Sequence, residues 1–165
     1  MKTDTKIIIG AIVASLFILV GAVAAFSSTD KPQRENLGSS GMTIDKKFED
    51  FGDMKVDEDR TAVFTITNTS DSVLRIWNIA TSCDCTFATL MIDGKPSPEF
   101  NMPGHMPKSL TNWIGEVAAG TTATLNVTYK PKVMPVKGVV TRQVTFSTNA
   151  PDYETVEVGI KANVL

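Results

Sequence analysis

Cys83 and Cys85 are the chain's only thiols, and one residue separates them. In an extended segment, residues i and i+2 project from the same face, so both sulfurs would point the same way. Their Cα atoms would lie about 6.5–7 Å apart at strand rise, the outer edge of disulfide geometry. Three states are open to such a pair. A disulfide needs a kinked backbone, is readily reduced, and closes too short a loop to add much stability. Two convergent thiolates suit a soft metal such as Cu(I) or Zn(II). Reduced thiols would pack as small hydrophobes. The only histidine, His105, stands in the run Asn101-Met102-Pro103-Gly104-His105-Met106. Imidazole and thioether are further ligands for a soft metal. If this run folds over the cysteines, Cys83, Cys85 and His105 with Met102 or Met106 form a candidate copper site. The plainer reading is that the methionines fill gaps under a loop and the histidine is solvated.

Catalytic chemistry has little to stand on. One histidine and no Gly-x-Ser-x-Gly elbow give no nucleophilic triad, and the chain has neither a Walker loop nor a His-Glu-x-x-His helix. The acidic run Glu49, Asp50, Asp53, Asp57, Glu58 and Asp59 reads as a solvated face. Thiol redox chemistry would want a cation beside a sulfur, whereas Asp84 between the cysteines would raise a thiol pKa. The expectation is a protein that is not an enzyme and needs no cofactor, with copper as the alternative.

The segments that must position these residues begin with an uncharged run from Ile7 to Phe26. Twenty helical residues reach about 30 Å, the thickness of a hydrocarbon core. Lys2 and Lys6 precede it, whereas Asp30, Lys31, Arg34 and Glu35 after it cancel, so positive charge keeps residues 1–6 in the cytoplasm. Ala22-Val23-Ala24 and Val23-Ala24-Ala25 resemble signal-peptide cleavage sites, but the run exceeds the usual apolar length of about 7–15 residues. An uncleaved signal anchor over residues 7–26 is expected, and either reading exports the remainder of the chain. Setting Lys2, Lys6 and Asp4 aside from 16 basic and 18 acidic residues leaves 14 and 17, so the exported part is mildly acidic. That balance argues against nucleic acid as a partner and against docking on anionic headgroups by charge. Residues 27–41 are polar, contain Pro32, Gly38 and Gly41, and read as a flexible spacer.

From residue 42 onward the pattern is that of strands. Ala62, Phe64 and Ile66 alternate with polar neighbours, as do Ala123, Leu125, Val127 and Tyr129, and then Val156, Val158, Ile160 and Ala162. Runs at Leu74–Ala80 and around Val144 and Phe146, with one after Cys85 and a first near Thr43–Phe48, bring the number to about seven, spaced as in a sandwich. Asp93–Gly115, with four prolines and three glycines, alternates little and reads as a packed loop weighted by Phe100, Met102, Met106 and Trp113. Asn68-Thr69-Ser70 and Asn126-Val127-Thr128 match the glycosylation pattern but read as turn and strand residues.

Several of these segments come in a familiar order. Phe51-Gly52-Asp53, Phe64-Thr65-Ile66-Thr67-Asn68 and Thr81-Ser82-Cys83-Asp84-Cys85-Thr86 are followed by Gly120 and then by Thr148-Asn149-Ala150-Pro151. Over roughly Thr43 to Leu165 the chain resembles the bacterial family called domain of unknown function 1573, with the Ser-Cys-x-Cys-Thr core as its most specific element. Asp84 stands where family members usually have glycine, and Ala119-Gly120-Thr121 replaces the usual Pro-Gly-Glu turn. The resemblance implies an immunoglobulin-like antiparallel sandwich in an exported protein and establishes no activity. The combined expectation is an all-β domain over residues 42–165, preceded by one transmembrane helix. It would serve as a membrane-anchored extracytoplasmic binding or scaffold module in the periplasm or at the cell surface, meeting a protein partner through the 93–115 loop or its sheet edges. The alternative is an extracytoplasmic copper-binding module.

Overall fold

A computed structural model describes residues 40–165. The expected membrane helix at residues 7–26 and most of the spacer lie outside the described residues. Among the described residues no helix is long and apolar enough to cross a membrane.

The described chain forms ten strands: β1 (Met42–Ile44), β2 (Phe48–Met54), β3 (Arg60–Asn68), β4 (Leu74–Thr81), β5 (Thr86–Ile92), β6 (Lys95–Pro96), β7 (Ile114–Val117), β8 (Thr122–Tyr129), β9 (Gly138–Thr148) and β10 (Thr155–Val164). They make two five-stranded sheets, ordered β1-β3-β8-β5-β6 and β2-β10-β9-β4-β7. Alternation decides which side chains lie between the sheets. Phe64 and Ile66 from β3, Leu125 and Val127 from β8, and Leu90 from β5 bury themselves against Val144 and Phe146 from β9 and Val158 and Ile160 from β10.

Several details depart from the sequence expectation. The stretch Thr43–Phe48, read as one strand, supplies strands to opposite sheets. Asp45 makes the break: its Oδ1 accepts the Lys46 and Thr65 amides, each at 2.8 Å, which turns the chain from one sheet edge to the other. Pairing is antiparallel throughout except that β2 runs parallel to β10, because the crossover delivers β2 alongside the last strand in the same direction. The third departure is in the 93–115 stretch, which contributes two short edge strands, β6 and β7, in addition to loop. Short edge strands leave few unpaired backbone groups for other chains to pair with.

Ser40 and Gly41, read as the end of the spacer, are already packed into the domain. The Ser40 amide donates to the Asn149 carbonyl at 3.2 Å, and the Gly41 carbonyl accepts the Thr69 amide at 3.1 Å. β4 carries an irregularity between Trp77 and Ala80, with Asn78 at φ 53°, so Ile76 and Trp77 are both buried although they are adjacent.

Candidate functional site

The two cysteines lie where the chain leaves β4 in one sheet and enters β5 in the other. This crossing is a tight turn and not the extended segment the spacing alone suggests. The Thr86 amide donates to the Cys83 carbonyl at 3.1 Å, and the Thr81 hydroxyl donates to the same carbonyl at 2.9 Å. Turning the chain draws the two Cα atoms to 5.2 Å, and Cys83 and Cys85 are joined as a disulfide. Neighbouring strands hold the turn from both sides. Lys130 N–H, just past β8, donates to the Cys85 carbonyl at 2.8 Å, and Ser82 N–H donates to the Gln143 carbonyl of β9 at 2.9 Å.

The 93–115 loop folds back over this turn, and Asn101 fastens it. Its side-chain N–H2 donates to the Asp84 and Thr86 carbonyls, both at 3.1 Å, and its Oδ1 accepts the Met102 amide at 2.6 Å. The loop thereby brings His105 Nδ1 to 2.6 Å from Asp84 Oδ1. His105 meets the residue between the cysteines through that carboxylate. Met106 packs against the core beside Leu110, and Met102 is half-buried. The thioether beside the sulfurs belongs to Met134, from the β8–β9 connection, whose Sδ lies 3.8 Å from Cys83 Sγ. A disulfide offers no thiolate, so these cysteines become metal ligands only after reduction. Among the described residues no group of three or more His, Cys, Asp or Glu side chains is arranged to hold a metal ion.

Arg142 is a neighbour of the cysteine pair that spacing along the chain did not reveal. Its Nε donates to Cys85 Sγ at 3.2 Å, and its guanidinium carbon lies 5.9 Å from the centre of the Tyr129 ring. A signal for it did exist. In β9 the inward-facing positions are Val140, Val144 and Phe146, and Arg142 occupies the same alternating face. An arginine on a core face must find partners, and here it finds a sulfur and an aromatic ring. Burial pushes the Tyr129 phenol up, with the Arg142 charge opposing, and its hydroxyl is buried with no hydrogen-bond partner among the described residues.

Against this geometry stand the likenesses to other proteins. Residues 42–96, from β1 through the cysteine turn to β6, match the model of a family described as protein of unknown function (DUF1573). No curated protein matches the chain. Among solved structures, a protein of unknown function from Porphyromonas gingivalis W83 is similar with a TM-score of 0.55 and 17% identity, over 77% of this chain and 48% of that one. The chain thus spans about half the length of that protein. The ASH/PapD-like domain 7 of human CEP192 is similar with a TM-score of 0.50 and 9% identity, over 84% of this chain and 92% of that domain. At such identities these likenesses concern the sandwich fold alone.

Proposed function

We propose that this chain is a single-pass membrane protein displaying an immunoglobulin-like domain outside the cytoplasm as a binding or scaffold module without a catalytic site. The uncharged run Ile7–Phe26 with Lys2 and Lys6 ahead of it supports the anchor and its orientation. The Cys83–Cys85 disulfide supports an oxidising compartment. The observation that carries the binding reading is the β8–β9 connection together with the start of β9. Val133, Met134, Val136 and Val139 are 41–67% exposed within seven residues of chain. Apolar groups clustered at a surface mark contact sites. By contrast the 93–115 loop turns its apolar groups inward: Phe100 is 1% exposed and meets Trp113 edge-on at 5.1 Å between ring centres. Lys132 and Lys137 flank Val133, Met134 and Val136, and residues 130–142 contain no acidic side chain. The partner that complements this surface is a protein segment combining apolar and acidic side chains.

A photo-crosslinking residue placed at Val136 in the full-length chain in its membrane tests this reading, with Val63, an exposed valine on β3, as the control. The expected outcome is a discrete protein adduct from position 136 that is lost when Lys132 and Lys137 are both changed to Glu. Equal adducts from position 63, or adducts indifferent to the charge reversal, refute it. Crosslinking to lipid alone would make the surface a membrane contact and refute it as well.

A further inference from the structure

The Cys83–Cys85 disulfide encloses a single residue, so it restrains the unfolded chain very little. The turn has other supports: carbonyls of Cys83, Asp84, Cys85 and Thr86 each accept a hydrogen bond from outside the cysteine pair. The turn therefore keeps its shape, and its two sulfurs stay within reach, when the bond between them is broken. The two sulfurs also differ. Cys83 is 7% exposed and Cys85 0%, so an incoming nucleophile reaches Cys83 only, past the pliable thioether of Met134. Cys85 is the sulfur against which Arg142 places its Nε–H. Cys83 Sγ has a donor of its own, the Cys85 amide at 3.1 Å. Donors aimed at sulfur favour thiolate over thiol, and a better thiolate is a better leaving group. Asp84 carries the opposing charge, but its carboxylate is turned onto His105.

We infer that Cys83–Cys85 is a site of reversible thiol–disulfide exchange with an external dithiol, in which Cys83 is the sulfur attacked and Cys85 the leaving thiolate held by Arg142. A thiolate of the dithiol attacks Cys83 Sγ. The Cys83–Cys85 bond breaks, and its electron pair leaves on Cys85 Sγ beside the guanidinium. The reductant's second thiolate then attacks the reductant sulfur of the mixed disulfide and releases Cys83. Of the dithiol's two protons one ends on Cys83 and the other in solvent while Cys85 remains a thiolate. One disulfide is reduced and one dithiol oxidised, so the exchange is stoichiometric and does not make the domain an enzyme. It does not rest on the proposed binding surface, and a failed crosslink at position 136 leaves it standing.

The test uses the oxidised full-length protein in detergent micelles, with dithiothreitol as the dithiol and maleimide mass shifts to count thiols over time. Reduction of the folded wild type is expected without denaturant. Arg142→Gln is expected to slow it about tenfold or more, the order of one charge-assisted hydrogen bond. In a dithiothreitol redox buffer the same variant is expected to hold its disulfide about tenfold more tightly, a shift near 30 mV. Arg142→Lys, which keeps the charge, is expected to recover part of both, a rescue that a purely structural arginine would not predict for the equilibrium. Met134→Ala lies away from the core and serves if Arg142→Gln does not fold. Uncovering Cys83 raises the reduction rate severalfold. Reduction only after unfolding in urea, wild-type rates in Arg142→Gln, or an unchanged rate in Met134→Ala overturns the inference.

Discussion

Removing the Asn101 side chain isolates what holds the long loop over the cysteine turn. Asn101→Ala deletes two hydrogen bonds to the Asp84 and Thr86 carbonyls and one from the Met102 amide. All three are part-buried, so water can replace some of what is lost. At about 0.5–1.5 kcal/mol net for each bond, the substitution costs roughly 2–4 kcal/mol. For a domain of this size, 1 kcal/mol corresponds to about 3–5 °C, so Tm falls by roughly 6–20 °C. The loop also positions His105 against Asp84, so the loss should be accompanied by faster proteolysis within residues 102–113 than at the domain's other connections. The assay is thermal unfolding of the full-length protein in detergent, followed by limited proteolysis with cleavage sites mapped by mass. A Tm within about 2 °C of wild type, with the loop still protected, would show that Phe100, Met106 and Trp113 alone hold the loop and that the asparagine bridge is incidental.

Polar groups elsewhere give two further expected outcomes. Asn68 is fully buried and donates to the Ser72, Val117 and Ala118 carbonyls at 2.7, 3.0 and 3.1 Å while its Oδ1 accepts from Ser40 and Ser70. Asn68→Ala is expected to cost about 3–5 kcal/mol in urea unfolding, more than Asn101→Ala, because Asn68 makes more hydrogen bonds and those to Ser40 and the Val117 carbonyl are buried; a loss under about 1 kcal/mol refutes this ranking. Acid provides the other. Burial pushes the Asp45 carboxyl up, but the Thr65 and Lys46 amides outweigh it and leave it below the ordinary value. The Lys161 ammonium and the Gly52 amide lower Asp50, and the Arg60 guanidinium and the Lys55 amide lower Glu58. Groups lowered by folding contribute stability above their unfolded pKa, near 4, and lose it as pH falls through the lowered folded values. Tm should therefore be level from about pH 7 to 5 and decline below about pH 4, with a shallower decline in Asp45→Asn. A Tm indifferent to acid down to about pH 3, or an Asp45→Asn profile identical to wild type, contradicts this assignment.

Much of the sandwich is legible in period-two alternation, since a strand between two sheets must send every second side chain inward. The run Ala123, Leu125, Val127 and Tyr129 is β8, and Val156, Val158, Ile160 and Ala162 lie on the inward face of β10. Alternation is local, however, and says nothing of partners. That Thr43–Phe48 divides between two sheets depends on Asp45 capping the amide of Thr65, twenty residues away, and the parallel pairing of β2 with β10 depends on where that crossover lands. The 93–115 stretch hid two strands because four-residue and two-residue edges are too short to establish a period.

The candidate site divides in the same way. Residue types and spacing determined that Cys83 and Cys85 stand one residue apart as the only cysteines and that a proline-rich loop follows the strand after them. Only the tertiary structure decided that the pair sits in a turn with its Cα atoms 5.2 Å apart, that His105 faces Asp84, and that the nearby thioether is Met134's. It also decided the charge at the sulfurs. Read along the chain, Asp84 makes the pair anionic; across the sandwich, Arg142 reaches Cys85 from a strand 57 residues away. Electrostatics falls off with distance in space, and a fold brings together in space what the sequence keeps apart.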